Sequence, residues 1–109
     1  MSMTARATVV VLEASPAVQE LVDQGLREAG HRVLATGWPE EALEVTRRVR
    51  VDVLVTGMVN GGVETLVEEL RAIQPDLRLV SIRGANGGGD PAPVSLEALV
   101  EAVAASVAT

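Results

Sequence analysis

Four short aliphatic runs punctuate this chain: Ala7–Leu12, Arg32–Thr36, Asp52–Thr56 and Leu77–Ile82. Val9-Val10-Val11-Leu12 and Val53-Leu54-Val55 are continuous rather than alternating. Continuous runs of this length are the signature of strands covered on both faces. Between them lie segments with apolar residues three and four apart, the spacing of amphipathic helices. Ser15-Pro16 is a strong helix start, a capping hydroxyl followed by a residue pre-set for the first turn. The helix it opens runs to about Ala29, with Val18, Leu21, Val22, Gln24/Gly25, Leu26 and Ala29 recurring at three and four residues, and Gly30 stands where a left-handed C-terminal residue is expected. Pro39 opens a second helix with Glu40 and Glu41 in its first turn and Arg47, Arg48 and Arg50 at its far end, both placed to suit the helix dipole. Gly57–Gly62 reads as a loop, Val63–Ile73 as a third helix, and Ser95 caps a last helix from Leu96 to about Val107.

Strand and helix alternate, so the pattern predicts an α/β domain with a parallel sheet, right-handed crossovers and helices on both faces. At 109 residues it is expected to be a single domain spanning 1–109. In such sheets the functional crevice lies beyond the carboxyl ends of the strands. That rule gathers Glu13, Ala14, Thr56, Gly57, Met58, Arg83 and Gly84.

Composition removes several kinds of chemistry. Without cysteine there is no disulfide, thiol nucleophile or thiolate metal site. Without lysine there is no Schiff base and no P-loop. His31 is the lone histidine, so a multi-histidine metal site is excluded; its place in a helix-to-strand turn predicts exposure. The formal charge of −6, with scattered arginines, argues against nucleic acid. No apolar stretch approaches a membrane span and the N-terminus shows no signal region, so a cytoplasmic address is expected. No nucleophile–base pair or metal cluster is present, so no enzyme activity, cofactor or metal is expected.

The order and spacing of Val9–Val18, Pro39-Glu40-Glu41-Ala42-Leu43, Val51–Val55, Leu66–Pro75 and Pro93–Leu99 resemble the receiver domain of bacterial two-component response regulators. The resemblance implies a flavodoxin-like, doubly wound sheet. Here it is truncated to four clear strands in order 2-1-3-4, with at most a short irregular fifth, and four helices. Gly84–Val94, rich in Gly, Pro and Asn, reads as a flexible spacer in place of the family's fourth helix and fifth strand.

The family's chemistry uses two acids after the first strand, an Asp after the third, a hydroxyl after the fourth and a Lys after the fifth. In this sequence the first acid falls on Glu13, the second on Ala14, the acceptor on Gly57 and the hydroxyl on Arg83. The lysine position falls near Ala92. The resemblance therefore implies a degenerate receiver without a phosphoacceptor. Such a module is expected to act by protein contact in a two-component or phosphorelay pathway, with a histidine kinase, a phosphotransfer protein, a response regulator or a second copy as partner. The alternative is a small-molecule sensor with its ligand at the strand ends, where Gly57 leaves room.

Several side chains have two readings. Glu13 and Arg83 either pair across Gly57 or both face water. Trp38 either anchors a partner or covers the first turn of the second helix. The last helix carries a wide apolar stripe, including Leu99, Val100, Val103 and Val107. It either packs deeply against the fourth strand or completes a homodimer. The edge of the fourth strand is a second candidate surface.

Overall fold

The computed structural model describes residues 7–57, 62–82 and 95–107. It contains β1 (Thr8–Leu12), α1 (Pro16–Glu28), β2 (Arg32–Thr36), α2 (Pro39–Arg48), β3 (Val53–Thr56), α3 (Gly62–Ile73), β4 (Arg78–Ser81) and α4 (Leu96–Val107). The strands are all parallel, in the order β2-β1-β3-β4. Fold class, strand order and helix count agree with the sequence expectation. The expected spacer at 84–94 lies outside the described residues.

Strand alternation divides the core in two. Val9, Val11, Val53, Val55 and Val80 face Val22 and Leu26 of α1 and Leu99 and Val103 of α4. Val10, Leu12 and Leu54 face Ala42 of α2 and Leu66 and Leu70 of α3. β1 and β3 are thus covered on both sides, which is why their sequences do not alternate. Each fully buried aliphatic side chain of this kind contributes about 1.5–3 kcal/mol relative to an exposed one.

Local signals fix the helix ends. Ser15 Oγ accepts from the Val18 amide at 3.5 Å, and Pro16 takes the first helical position. Gly30 adopts φ 96°, the left-handed conformation that lets the chain turn into β2 without a Cβ penalty. At α2 the N-cap position holds Trp38, whose side chain makes no capping bond. Thr36 substitutes for it: its Oγ1 accepts from the Trp38 amide at 3.0 Å and donates to the Glu41 carboxylate.

His31 corrects the expectation of exposure. It is buried, and its Nδ1 accepts from the Ala7 amide at 3.1 Å, tying the start of β1 to the start of β2. That bond requires an unprotonated Nδ1, and desolvation holds the imidazole below its ordinary pKa of 6.5. Between the folded and the ordinary value the unfolded chain binds more protons than the native one, so stability rises with pH across that window. Stability is accordingly expected to fall as pH drops below 6.5. Urea unfolding at a series of pH values should show this slope in the wild type. It should be flattened in His31→Gln, which keeps an acceptor for Ala7 but cannot titrate.

Candidate functional site

The parallel register pairs Leu12 with Thr56, so the next residues, Glu13 and Gly57, emerge side by side from β1 and β3. Glu13 continues the sheet for one more bond, its amide donating to the Thr36 carbonyl at 3.0 Å, while its carbonyl accepts from Gln19 Nε2 at 3.0 Å. Its backbone is therefore held from both neighbouring elements.

The side chain turns inward and is only 5% exposed. Oε2 accepts from the Ser15 amide at 2.9 Å. Oε1 is buried and has no hydrogen-bond partner among the described residues. It points at Gly57: a Cβ on that glycine would overlap Oε1 and lie 3.2 Å from the Glu13 carboxyl carbon. Ile82 Cδ1 would be 3.6 Å away. The space beside Gly57 is thus taken from within. A carboxylate reaching across from β1 fills the place where a side chain at the end of β3 would begin.

An unsatisfied buried polar oxygen costs about 1–3 kcal/mol, more when charged, so this arrangement is held against a penalty. The room left by glycine and the backbone clamps on Glu13 offset it. Gly57→Ala should force the Glu13 carboxylate out toward solvent. Because the displaced atom is the end of a long side chain, the expected loss of stability is small, about 1 kcal/mol or less. The clearer readout is the Ser15 amide resonance, which should move as its carboxylate acceptor leaves.

Receiver-type chemistry would need a divalent cation here. The donor set does not fit one. Mg²⁺ requires near-octahedral oxygen ligands, and of the two carboxylate oxygens one is committed to Ser15 while the other is enclosed against Gly57. Ala14 is exposed and offers no side-chain donor, and Gly57 has no side chain. Among the described residues no group of three His, Cys, Asp or Glu side chains is placed to hold a metal.

Of the other candidates, Arg83 lies outside the described residues, and with it the Glu13–Arg83 pair. Trp38 is 68% exposed at the start of α2, on the crevice end of the fold. Leu99 and Val103 are corrected: at 2% and 0% exposure they belong to the core between α1, β3, β4 and α4, and offer no free surface. Val100 and Val107 are partly buried against that core. The wide apolar stripe of α4 is explained by depth. Leu96 packs so closely on α1 that a Cβ at Gly25 would fall 2.8 Å from its Cδ1.

Two features escaped the sequence reading. Leu21 of α1 and Leu79 of β4 are exposed, at 57% and 41%. Leu79 lies on the sheet face that α2 and α3 cover further in, beside the outer edge of β4. The Gln74 side chain also bonds three backbone groups, and only its position after an amphipathic helix hinted at a capping role.

No protein-family model matches the sequence, and no curated protein matches it with significance. Solved structures do match. A response regulator from Thermotoga maritima superposes with a TM-score of 0.79 at 21% identity, covering 96% of this chain and all of the other. The receiver domain of the hybrid histidine kinase CckA gives 0.70 at 19% identity, covering 92% and 98%. This chain has the receiver fold. A third structure, described as a transiently phosphorylated switch in bacterial signal transduction, gives 0.73 at 16% identity, covering 95% and 97%. The receiver fold is therefore matched along nearly the whole chain.

Proposed function

We propose that this chain is a receiver-like signalling module that works without phosphorylation, through protein contact, in a two-component or phosphorelay pathway. One observation carries the reading. The end of β3 bears Gly57 in place of an acceptor, and the adjoining space is taken by the Glu13 carboxylate. Phosphoryl transfer needs a nucleophile and cations around the transferred group, and neither Glu13, Ala14 nor Gly57 supplies that set. The likeness to a response regulator and to a receiver domain of a hybrid kinase supports the pathway. The partner on this reading is a histidine kinase, a phosphotransfer protein, a response regulator or a second copy, and the location is cytoplasmic. No helix among the described residues is long and apolar enough to cross a membrane.

Trp38 is the natural anchor on the crevice end, since exposed Trp is enriched among residues that dominate binding. The exposed Leu79, on the edge strand, is a second contact point. Room at the strand ends would have favoured a small-molecule sensor, but Glu13 takes the room that Gly57 provides.

Incubation with a purified partner kinase and radiolabelled ATP tests this reading. The expected result is a complex whose affinity is the same with and without ATP, weakened by Trp38→Ala, and no acid-labile label on this chain. An acyl-phosphate label would overturn it.

A further inference from the structure

The arginines of the described residues all lie at the end of the fold opposite Glu13. Arg27, Arg47, Arg48 and Arg71 occupy the last turns of α1, α2 and α3. Arg32 opens β2, Arg50 leads into β3 and Arg78 opens β4. The helix dipole accounts for the first group, because cations are favoured at helix C-termini. It does not account for the arginines at the strand starts. Two of the helix-end side chains are tied inward: Arg27 Nη2 donates to the Val33 carbonyl at 2.9 Å and Arg71 Nε to that of Leu77 at 3.4 Å.

Arg47, Arg48, Arg50 and Arg78 line two adjoining grooves. One, of about 460 Å³, runs between the C-terminal ends of α2 and α3, with Arg47, Arg48 and Arg50 on one side and Ile73 and Asp76 on the other. The next, of about 270 Å³, shares Arg50, Asp52 and Asp76 and continues past Arg78 to the end of α4. The guanidinium groups here are only loosely engaged. Arg47 and Arg48 stand 3.7 and 3.8 Å from Glu44, and Arg50 stands 3.7 Å from Asp52. Side-chain exposures are 57%, 79% and 78% for Arg47, Arg48 and Arg50. Exposed pairs at such distances hold little energy, so the forked donors remain free to take a better carboxylate. Asp52 is committed elsewhere, its Oδ2 accepting from the Thr8 amide at 2.9 Å.

We propose that this double groove binds an acidic polypeptide segment, with carboxylates on Arg47, Arg48, Arg50 and Arg78 and an aliphatic side chain on Ile73. Asp52 and Asp76 decide the class of ligand. A nucleic acid carries a phosphate at every step and would meet both acids, whereas a peptide can place its carboxylates only where the arginines are. A free anion would gain nothing from Ile73, which is 36% exposed on the groove wall. The surface is distant from Trp38 and the crevice, so a contact module would have two ends. The proposal rests on the protein-contact reading above and names the chemistry of one partner.

Fluorescence anisotropy of a labelled synthetic peptide of alternating glutamate and leucine tests it on the full chain. Binding should weaken with salt and should fall about tenfold or more in Arg48→Glu/Arg50→Glu, the loss expected when close charge pairs are reversed. Both side chains are highly exposed, so the variant should keep its fold, checked by circular dichroism. Glu64→Gln, at the opposite end, should bind like the wild type. A single substitution, Ile73→Ser, should weaken the glutamate–leucine peptide but not an all-glutamate one. The proposal is overturned if the charge reversal changes nothing, if inorganic phosphate competes as well as the peptide, or if duplex DNA binds more tightly. An acyl-phosphate label on a chain that still binds the peptide would remove the phosphorylation-independent reading and leave the groove standing. Absence of label together with indifference to the charge reversal would do the opposite.

Discussion

Leu99→Ala is expected to lower the unfolding free energy by about 2–5 kcal/mol, the range for truncating a fully buried leucine that leaves a cavity. Leu99 is 2% exposed and touches both the α1 side of the core and the sheet. Leu21→Ala, on an apolar stripe of similar appearance in the sequence, is expected to change stability by no more than about 0.5 kcal/mol, because that side chain is 57% exposed. Urea denaturation of the two variants reads the contrast directly. It also separates the two readings of α4. A helix packed within its own chain gives a loss independent of protein concentration, whereas a helix covered by a second copy gives one that shrinks on dilution. The structure predicts the first.

Gln74 carries the second large effect. It follows α3, and its backbone amide closes that helix on the Leu70 carbonyl at 2.8 Å. Its side chain then crosses to α2, where Nε2 donates to the Thr46 and Val49 carbonyls at 2.8 and 2.7 Å. Its Oε1 accepts from the Val51 amide at 2.8 Å. The last carbonyls of a helix have no partner within it, so one side chain completes the end of α2 and fixes the approach to β3. Gln74→Ala should cost about 2–3 kcal/mol, from three bonds at about 1 kcal/mol each. Gln74→Glu should cost more, because a carboxylate oxygen would face two carbonyl oxygens where two N–H groups now donate. Denaturant midpoints ordered wild type, Gln74→Ala, Gln74→Glu would bear this out. A glutamate variant as stable as wild type would show that the latch does not hold α2 to α3. The same residue lies on the wall of the arginine groove, so its loss should also loosen that surface.

Much of this architecture is legible in the chain because local and long-range signals agree. Ser15, Pro16 and Gly30 bracket α1 by backbone chemistry that does not depend on the rest of the fold. The unbroken valine runs of β1 and β3 require cover on both faces, and alternating helices provide it. Once β1 and β3 are parallel neighbours, Glu13 and Gly57 must sit together, so the content of the crevice follows from two letters of sequence. What the sequence does not carry is side-chain direction. Glu13 was equally consistent with an arm in water, and only the packed environment shows it turned onto Gly57. His31 follows a turn glycine, which argues for exposure, yet the amide of Ala7 claims its ring from a distant part of the chain. The depth of α4 is set by Gly25, whose missing side chain admits Leu96. That contact joins residues too far apart for any periodicity to reveal. Trp38, by contrast, is as exposed as its place in a loop suggests, with only its amide held, by the Thr36 hydroxyl.

Whether the space beside Gly57 is taken by the protein itself decides whether a phosphoryl group can be held there. Titration with Mg²⁺ and beryllofluoride, a stable mimic of a phosphoryl group, addresses this most directly. The readouts are the amide resonances of Glu13, Ser15 and Gly57 and the fluorescence of Trp38. The prediction is that none of these signals changes at any concentration of the pair. A saturable shift at Gly57 that needs both Mg²⁺ and beryllofluoride would contradict it.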